Sequence, residues 1–231
     1  GNGRLDTGEF IRALRPDTLL VTVMHGNNET GVLFPIEQLS RLTKETDPSI
    51  VFHTDATQSV GKLPIDLRGG FRHVDLLSFS GHKLHAPKGI GALFIRRGTP
   101  CRPFLMGGHQ EDGRRAGTEN VAFIVALARA LELSMERHDD DEPRILAMRD
   151  RLERELVARI PYLEVNGRNA PRLSNTLNVA CHFIEGEGNG AVNHYFNDFG
   201  QCQESGRDQA HTQMGLEYLV MNTTISLVQL V

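Results

Sequence analysis

Three short apolar runs in the first 80 residues each lead into a cluster of polar side chains. The runs, at residues 19–24, 49–52 and 75–79, have the length and composition of buried strands. A helix-like segment at residues 35–45 separates the first two runs, and Pro35 stands at a plausible first turn. This alternation of strand, helix and strand predicts parallel crossover units in an α/β fold.

Parallel strands place their C-terminal ends at one edge of a sheet, where α/β proteins bind small ligands. We therefore expect the polar residues that follow the runs to converge there. These residues are Asn28, Asp55, Gln58, Ser80, His82 and Lys83.

The chemistry of this set points to pyridoxal phosphate. A lysine at a strand end can be desolvated enough to act as an amine nucleophile and form a Schiff base, so Lys83 is the candidate nucleophile. A carboxylate such as Asp55 can keep a pyridine nitrogen protonated, and hydroxyl and imidazole groups can hold a phosphate. Each residue also has a structural alternative: Lys83 as a solvated loop lysine, Asp55 as a helix N-cap, and His82 as a structural histidine.

The remainder of the chain suggests a second, smaller domain. A strand at residues 91–96 and a glycine-rich connector at 101–117 lead to a helix from residue 119, for which Thr118 is a candidate cap. The acidic run 139–143 predicts a solvated hinge before a second helix at 145–160. Further strands are expected at 163–165 and 176–180, and beyond residue 188 only 225–231 has strand character.

Composition narrows the class of protein. The 231 residues carry a net charge of −4, which does not favour nucleic acid as a partner, and 39% are hydrophobic, which can supply a core. No apolar run is long enough to cross a bilayer and no signal peptide is visible, so we expect a cytoplasmic protein without membrane contact. Three widely spaced cysteines and ten histidines form neither a disulfide framework nor a metal motif, so no metal site is predicted.

Several long motifs in order resemble the cysteine desulfurases, which are class V, fold-type I pyridoxal phosphate enzymes that supply sulfur for iron–sulfur or nitrogenase cluster assembly. The resemblance rests on residues 53–66 (HTDATQSVGKLPID) and 78–93 (SFSGHKLHAPKGIGAL), supported by 25–31 (HGNNETG), 107–109 and 113–120 (GRRAGTEN). It runs from about residue 5 to residue 187. It implies a large domain with a mostly parallel sheet and helices on both faces, at residues 1–137. Residues 138–231 would form part of a small α+β domain.

The resemblance also implies a role for each matching residue. Lys83 matches the Schiff-base lysine, which moves protons at the substrate α-carbon, and Asp55 matches the partner of the pyridinium nitrogen. The other matches bind pyridoxal 5'-phosphate: Asn28 and Gln58 near the ring hydroxyl, Ser80 and His82 at the phosphate, and Thr118 at the phosphate of the other subunit's cofactor. This last role implies a homodimer with shared sites.

Two departures from the family pattern qualify that expectation. The chain begins at a point well inside the family's large domain, without its phosphate loop and stacking histidine, so we expect a fragment or a truncated gene product. After Glu187 the pattern fades: aligning the tail puts Cys202 on a noncatalytic cysteine and Gln209 on the position of the persulfide-forming one. A glutamine amide cannot replace a thiolate in that reaction.

These features predict a protein of the cysteine desulfurase type, converting L-cysteine to alanine and a persulfide, with impaired sulfur transfer in this chain. A sulfur-acceptor or scaffold protein would be its further partner. Two alternatives stay open at this point: another class V enzyme, such as a lyase or an aminotransferase, and a noncatalytic fragment that keeps the fold.

Overall fold

The computed structural model of the chain describes residues 3–182 and 221–226. The helices are α1 (Thr7–Ala13), α2 (Ile36–Thr46), the four-residue α3 (Gln110–Gly113) and α4 (Val121–Arg159). The strands are β1 (Leu20–Met24), β2 (Val51–Asp55), β3 (Leu76–Ser80), β4 (Gly91–Ile95), β5 (Leu163–Val165), β6 (Thr176–Cys181) and β7 (Met221–Ser226). A 3₁₀ helix (Gly81–Leu84) follows β3 directly.

The chain divides into two compact units. One contains Leu5–Gly26 and Phe34–His138, and the other contains Gly1–Arg4, Asn27–Leu33 and Asp139–Val231. The main break thus follows His138, while two short N-terminal segments are grouped with the second unit. Assigning residues 1–137 to a cofactor-binding domain and 138–231 to a small domain stays a prediction.

The first unit is built on a four-stranded sheet in the order β1-β2-β3-β4. The pairs β1–β2 and β2–β3 are parallel, and β4 is antiparallel to β3. The predicted α/β fold with a mostly parallel sheet is confirmed.

One face of this sheet holds the core. Ile36 and Leu39 of α2 are fully buried together with Phe52 of β2 and Leu77 of β3, in one continuous apolar cluster. The predicted helix at 35–45 is therefore confirmed, and its apolar residues recur at helical spacing because one side of α2 packs on the sheet. An ion pair between Lys44 Nζ and Asp75 Oδ2, 2.6 Å apart, links the end of α2 to the segment before β3.

The second unit has an antiparallel sheet in the order β5-β6-β7. Val165, Leu177 and Val179 form its apolar cluster, against which Leu152 and Leu156 of α4 pack. The strands predicted at 163–165 and 176–180 are confirmed. The tail strand lies at 221–226 rather than 225–231, and residues 227–231 are outside the described residues.

The helix α4 differs from expectation at both predicted boundaries. The acidic run does not break it, because α4 continues from Val121 to Arg159 with Pro143 inside. A proline removes one backbone donor, but packing of Leu127 before it and of Leu152 and Leu156 after it supports the helix on both sides. The N-terminal cap is also not Thr118: the side-chain oxygen of Asn120 accepts the Phe123 N–H at 3.2 Å.

Thr54 provides a test of the core. Its side-chain hydroxyl is fully buried on β2 and has no hydrogen-bond partner in the described part of the chain. Because a buried hydroxyl without a partner destabilises the folded state, Thr54→Val should raise the free energy of unfolding by about 1 kcal/mol, measured by urea titration.

Thr43→Val is the matched control. Thr43 is equally buried, but its hydroxyl donates to the Leu39 carbonyl at 2.8 Å. The same substitution there should lower stability by about 1 kcal/mol. A loss of stability in both variants would contradict the difference between the two hydroxyls.

Candidate functional site

The ends of β2 and β3 define the candidate site. These strands are parallel neighbours, with Asp55 opposite Ser78 in the register. The chain therefore leaves both strands at the same edge of the sheet, in the turn after Asp55 and in the 3₁₀ helix that contains Lys83. This register brings the ends of both strands to one edge. The residues expected to converge there from β2 and β3 are Asp55, Gln58, Ser80, His82 and Lys83.

Asp55 ends β2 with an exposed carboxylate. One of its oxygens, Oδ1, accepts the Thr57 N–H at 2.8 Å, which starts the turn that contains Gln58. The turn is closed by the Ser59 and Val60 amides, which both donate to the Ala56 carbonyl. Asp55 thus caps a turn, and no helix follows it directly, so the helix N-cap of its structural alternative is not what the structure shows. Within the described residues its second oxygen, Oδ2, accepts no hydrogen bond.

Lys83 is held on the 3₁₀ helix by its buried neighbours. Gly81 and Leu84 are buried, Lys83 is half-buried and His82 is exposed. A β-carbon at Gly81 would lie 2.9 Å from Ile90 Cγ2 and 3.0 Å from Leu127 Cδ1, so a larger residue there would have to displace these side chains. Ser80 immediately precedes the helix and is half-buried at the end of β3.

His25 supports the turn that follows Asp55. It comes directly after β1, its amide donates to the Asp55 carbonyl at 2.8 Å, and its Nδ1 lies 2.9 Å from Ser59 Oγ. The ring meets Phe71 edge to face, with centroids 5.2 Å apart. Burial lowers the pKa of His25 from 6.5 to about 4, so the imidazole is neutral at physiological pH.

His53 is a second histidine that sequence reasoning did not single out. Thr22 Oγ1 lies 2.7 Å from its Nδ1, and Ser78 Oγ lies 3.0 Å from its Nε2. Burial lowers the pKa of His53, while the negative charge of Asp55 opposes that shift. The available signal was the two-residue spacing from Asp55, since residues i and i+2 of a strand share a face.

The two remaining predicted residues, Asn28 and Thr118, do not belong to the ends of β2 and β3. Asn28 is exposed and belongs to the segment Asn27–Leu33 of the second unit. Its neighbour Asn27 organises the local turn, since Asn27 Oδ1 accepts from the Glu29 and Thr30 amides. Thr118 is exposed in the first unit, just before α4.

Comparison with known proteins identifies the family. The aminotransferase class-V profile matches residues 1–225. The chain therefore belongs to the aminotransferase class-V family, and the resemblance drawn from its motifs is confirmed.

Individual relatives agree with that assignment. Cysteine desulfurase 2 of Trichormus variabilis is 49% identical over 232 residues, which is 96% of this chain and 56% of that protein. Cysteine desulfurase NifS of Azotobacter vinelandii is 51% identical over 185 residues, covering 80% of this chain and 45% of that protein. The solved structure of a NifS-like protein superposes with a TM-score of 0.78 at 35% identity, covering 86% of this chain and 53% of that one. The chain spans about half the length of the curated relatives it matches.

The described residues contain neither a membrane-spanning helix nor a metal-binding cluster. Among the helices of residues 3–182, none combines the length and apolar character needed to cross a bilayer. Over the same residues and 221–226, no cluster of three or more histidine, cysteine, aspartate or glutamate side chains is arranged to hold a metal ion.

The lowered pKa of the half-buried His25 predicts how stability depends on pH. Between pH 6.5 and about 4 the unfolded chain binds a proton at this residue and the folded chain does not, so stability is lost as the pH falls. From pH 7 to pH 4.5 this linkage amounts to about 2 kcal/mol. His25→Asn, a neutral side chain that can still donate to Ser59, should reduce the acid loss by about that amount in urea titrations.

His85→Asn, at an exposed histidine of the same unit, is the control. Equal acid losses in the parent chain and in His25→Asn would contradict a buried neutral imidazole at position 25.

Proposed function

We propose that this chain is the cofactor-binding part of a pyridoxal phosphate-dependent enzyme of the cysteine desulfurase type. The observation that carries the proposal is the position of Lys83 and Asp55 at one edge of the sheet, after adjacent parallel strands. The donor set fits the cofactor: an amine for its aldehyde, an open carboxylate oxygen for its ring nitrogen, and hydroxyl and imidazole groups for its phosphate. Membership of the class-V family supports the same assignment.

When bound, pyridoxal phosphate supplies an electron-withdrawing ring that stabilises negative charge at the substrate α-carbon. Lys83 would hold the cofactor covalently and, once displaced by substrate, move the α-proton. Asp55 would accept a hydrogen bond from the ring nitrogen through Oδ2 and keep that nitrogen protonated. Ser80 and His82 would bind the phosphate, and Gln58 would lie near the ring hydroxyl. The role expected for Asn28, a residue of the second unit, stays a prediction.

L-Cysteine is the proposed substrate, because the curated relatives at 49% and 51% identity are cysteine desulfurases. In that reaction the cysteine sulfur passes to a thiolate, giving a persulfide and alanine. Burial raises the pKa of the Cys181 thiol, which disfavours it as the acceptor. The sequence-based prediction of impaired sulfur transfer concerns Cys202 and Gln209, which lie outside the described residues. A sulfur-acceptor protein and a cytoplasmic location also stay predictions.

The amine at position 83 is the direct test. The purified chain with added pyridoxal phosphate should retain a visible absorption band through gel filtration, and Lys83→Ala should lose it. Any cysteine-dependent alanine formation should fall by about 10²–10⁴-fold in Lys83→Ala, the usual effect of losing a positioned acid–base group. Lys88→Ala, at an exposed lysine five residues further on, should keep the band and the rate.

The absence of a retained band in the parent chain would contradict cofactor binding. With dithiothreitol present to reduce the persulfide and release its outer sulfur, the products distinguish the reaction classes: sulfide and alanine support a desulfurase, and amino transfer to a keto acid supports another class V enzyme. Strong sulfide release that is abolished by Cys202→Ala would contradict the predicted impairment.

We also propose that the chain forms a homodimer through the connector and the start of α4. Phe104 is 95% exposed, Met106 83% and Val121 65%, and the nearby Val125 is exposed as well. Four large apolar side chains in contact with water favour association. Thr118 lies between these residues in sequence, which supports its proposed role toward a second subunit's cofactor.

Sedimentation velocity tests this interface. Met106→Asp should shift the chain from dimer to monomer, because a carboxylate buried at an interface without a partner is strongly unfavourable. Leu19→Asp, at a residue 81% exposed outside the proposed interface, is the control and should leave the sedimentation coefficient unchanged. A monomeric parent chain, or a dimer unaffected by Met106→Asp, would contradict the proposal.

A further inference from the structure

A row of polar side chains crosses three strands on the sheet face opposite the core. Thr22 of β1, His53 of β2 and Ser78 of β3 are joined by contacts of 2.7 Å and 3.0 Å to the two ring nitrogens of His53. Thr22 and His53 are direct neighbours in the register, whereas Ser78 stands opposite Asp55. Both imidazole nitrogens are therefore engaged by uncharged hydroxyls.

Asp55 is the charged group next to this row. It lies two residues beyond His53 on the same face of β2, about 7 Å further along the strand. The other residues of β1 and β3 on this face are Leu20, Met24, Leu76 and Ser80, and none of them carries a charge. Among the described residues the Asp55 carboxylate is thus the only charge found to act on His53.

The Asp55 carboxylate has one oxygen in use and one open. Asp55 Oδ1 is used by the Thr57 amide, and Oδ2 accepts no hydrogen bond in the described part of the chain. A protonated imidazole released from its hydroxyls would be attracted to Oδ2, since a carboxylate is the strongest nearby acceptor. It would then compete with any cationic ring nitrogen for the same oxygen.

We propose that His53 is a positioning residue for Asp55: Thr22 and Ser78 hold its ring away from the carboxylate and so keep Oδ2 open for the ring nitrogen of the cofactor. This inference rests on the proposed function, because it assigns a ligand to Asp55. It explains why a hydrogen-bonded polar row crosses a sheet face whose neighbouring positions are largely apolar. The partial burial that disfavours the charged form of His53 acts in the same direction.

The test removes the two hydroxyls and retains the imidazole. The dissociation constant of pyridoxal phosphate is measured by fluorescence titration from pH 5.5 to pH 8 for the parent chain and for Thr22→Val/Ser78→Ala. At each pH the dissociation constant of the variant is divided by that of the parent chain. Protonation of the cofactor itself affects both constants equally and therefore cancels in this ratio. Binding by the variant should be about tenfold weaker than by the parent at pH 5.5, which corresponds to a change of one pKa unit for the released imidazole, and equal to it at pH 8.

A third substitution separates competition from structural damage. Adding His53→Leu to the pair should restore a ratio near one at pH 5.5, because no imidazole remains to compete. A uniform weakening at every pH, or no recovery with His53→Leu, would overturn the proposal.

A cofactor-free measurement distinguishes failure of this inference from failure of the proposed function. NMR titration of His53 should give a higher pKa in Thr22→Val/Ser78→Ala than in the parent chain, and adding Asp55→Asn should abolish the rise. If the parent chain binds no pyridoxal phosphate at any pH, the proposed function fails, and this titration still decides whether the hydroxyls hold the imidazole away from Asp55. An unchanged His53 pKa would overturn the inference by itself.

Discussion

The parallel pairing of β2 with β3 is the constraint on which the candidate site depends. Because Asp55 stands opposite Ser78, the chain leaves both strands at one edge, and Lys83 follows within one short 3₁₀ helix. A parallel pair needs a crossover connection, and the residues between β2 and β3 supply Phe71 and Val74 to the core below the sheet. Burial of that core therefore fixes the register, and the register brings the carboxylate and the amine to one edge.

Two histidines with lowered pKa values lie near Asp55 in the structure. His25 is half-buried against Phe71 and contacts Ser59 in the turn after Asp55, whereas His53 is held between two hydroxyls on the sheet. Burial lowers the pKa of both, so neither carries a full positive charge beside Asp55 at physiological pH. The negative charge of Asp55 is thus left for a ligand, which is consistent with the proposed recognition of a protonated ring nitrogen.

Local sequence signals failed where tertiary packing overrode them. The run of aspartates before Pro143 is typical of a break in a helix, yet α4 continues through it. Packing supports both halves of the helix, through Leu127 in one unit and through Leu152 and Leu156 in the other. Thr118 and Asn120 are both acceptable caps by residue type, and the start of the helical backbone at Val121 selects Asn120. Neither outcome follows from composition, since each depends on where apolar side chains find partners.

The sequence by itself determined the strand–helix alternation, the mostly parallel sheet, the family, and the order in which Asp55, Ser80 and Lys83 occur. These follow from periodicity and from long motifs, which are local properties of the chain. Only the tertiary structure decided that His53 is joined to Thr22 and Ser78, that His25 contacts Ser59, and that Asp55 keeps one oxygen open. Such contacts join residues about 25 to 35 positions apart, and their geometry is set by strand register and burial, which no local pattern encodes.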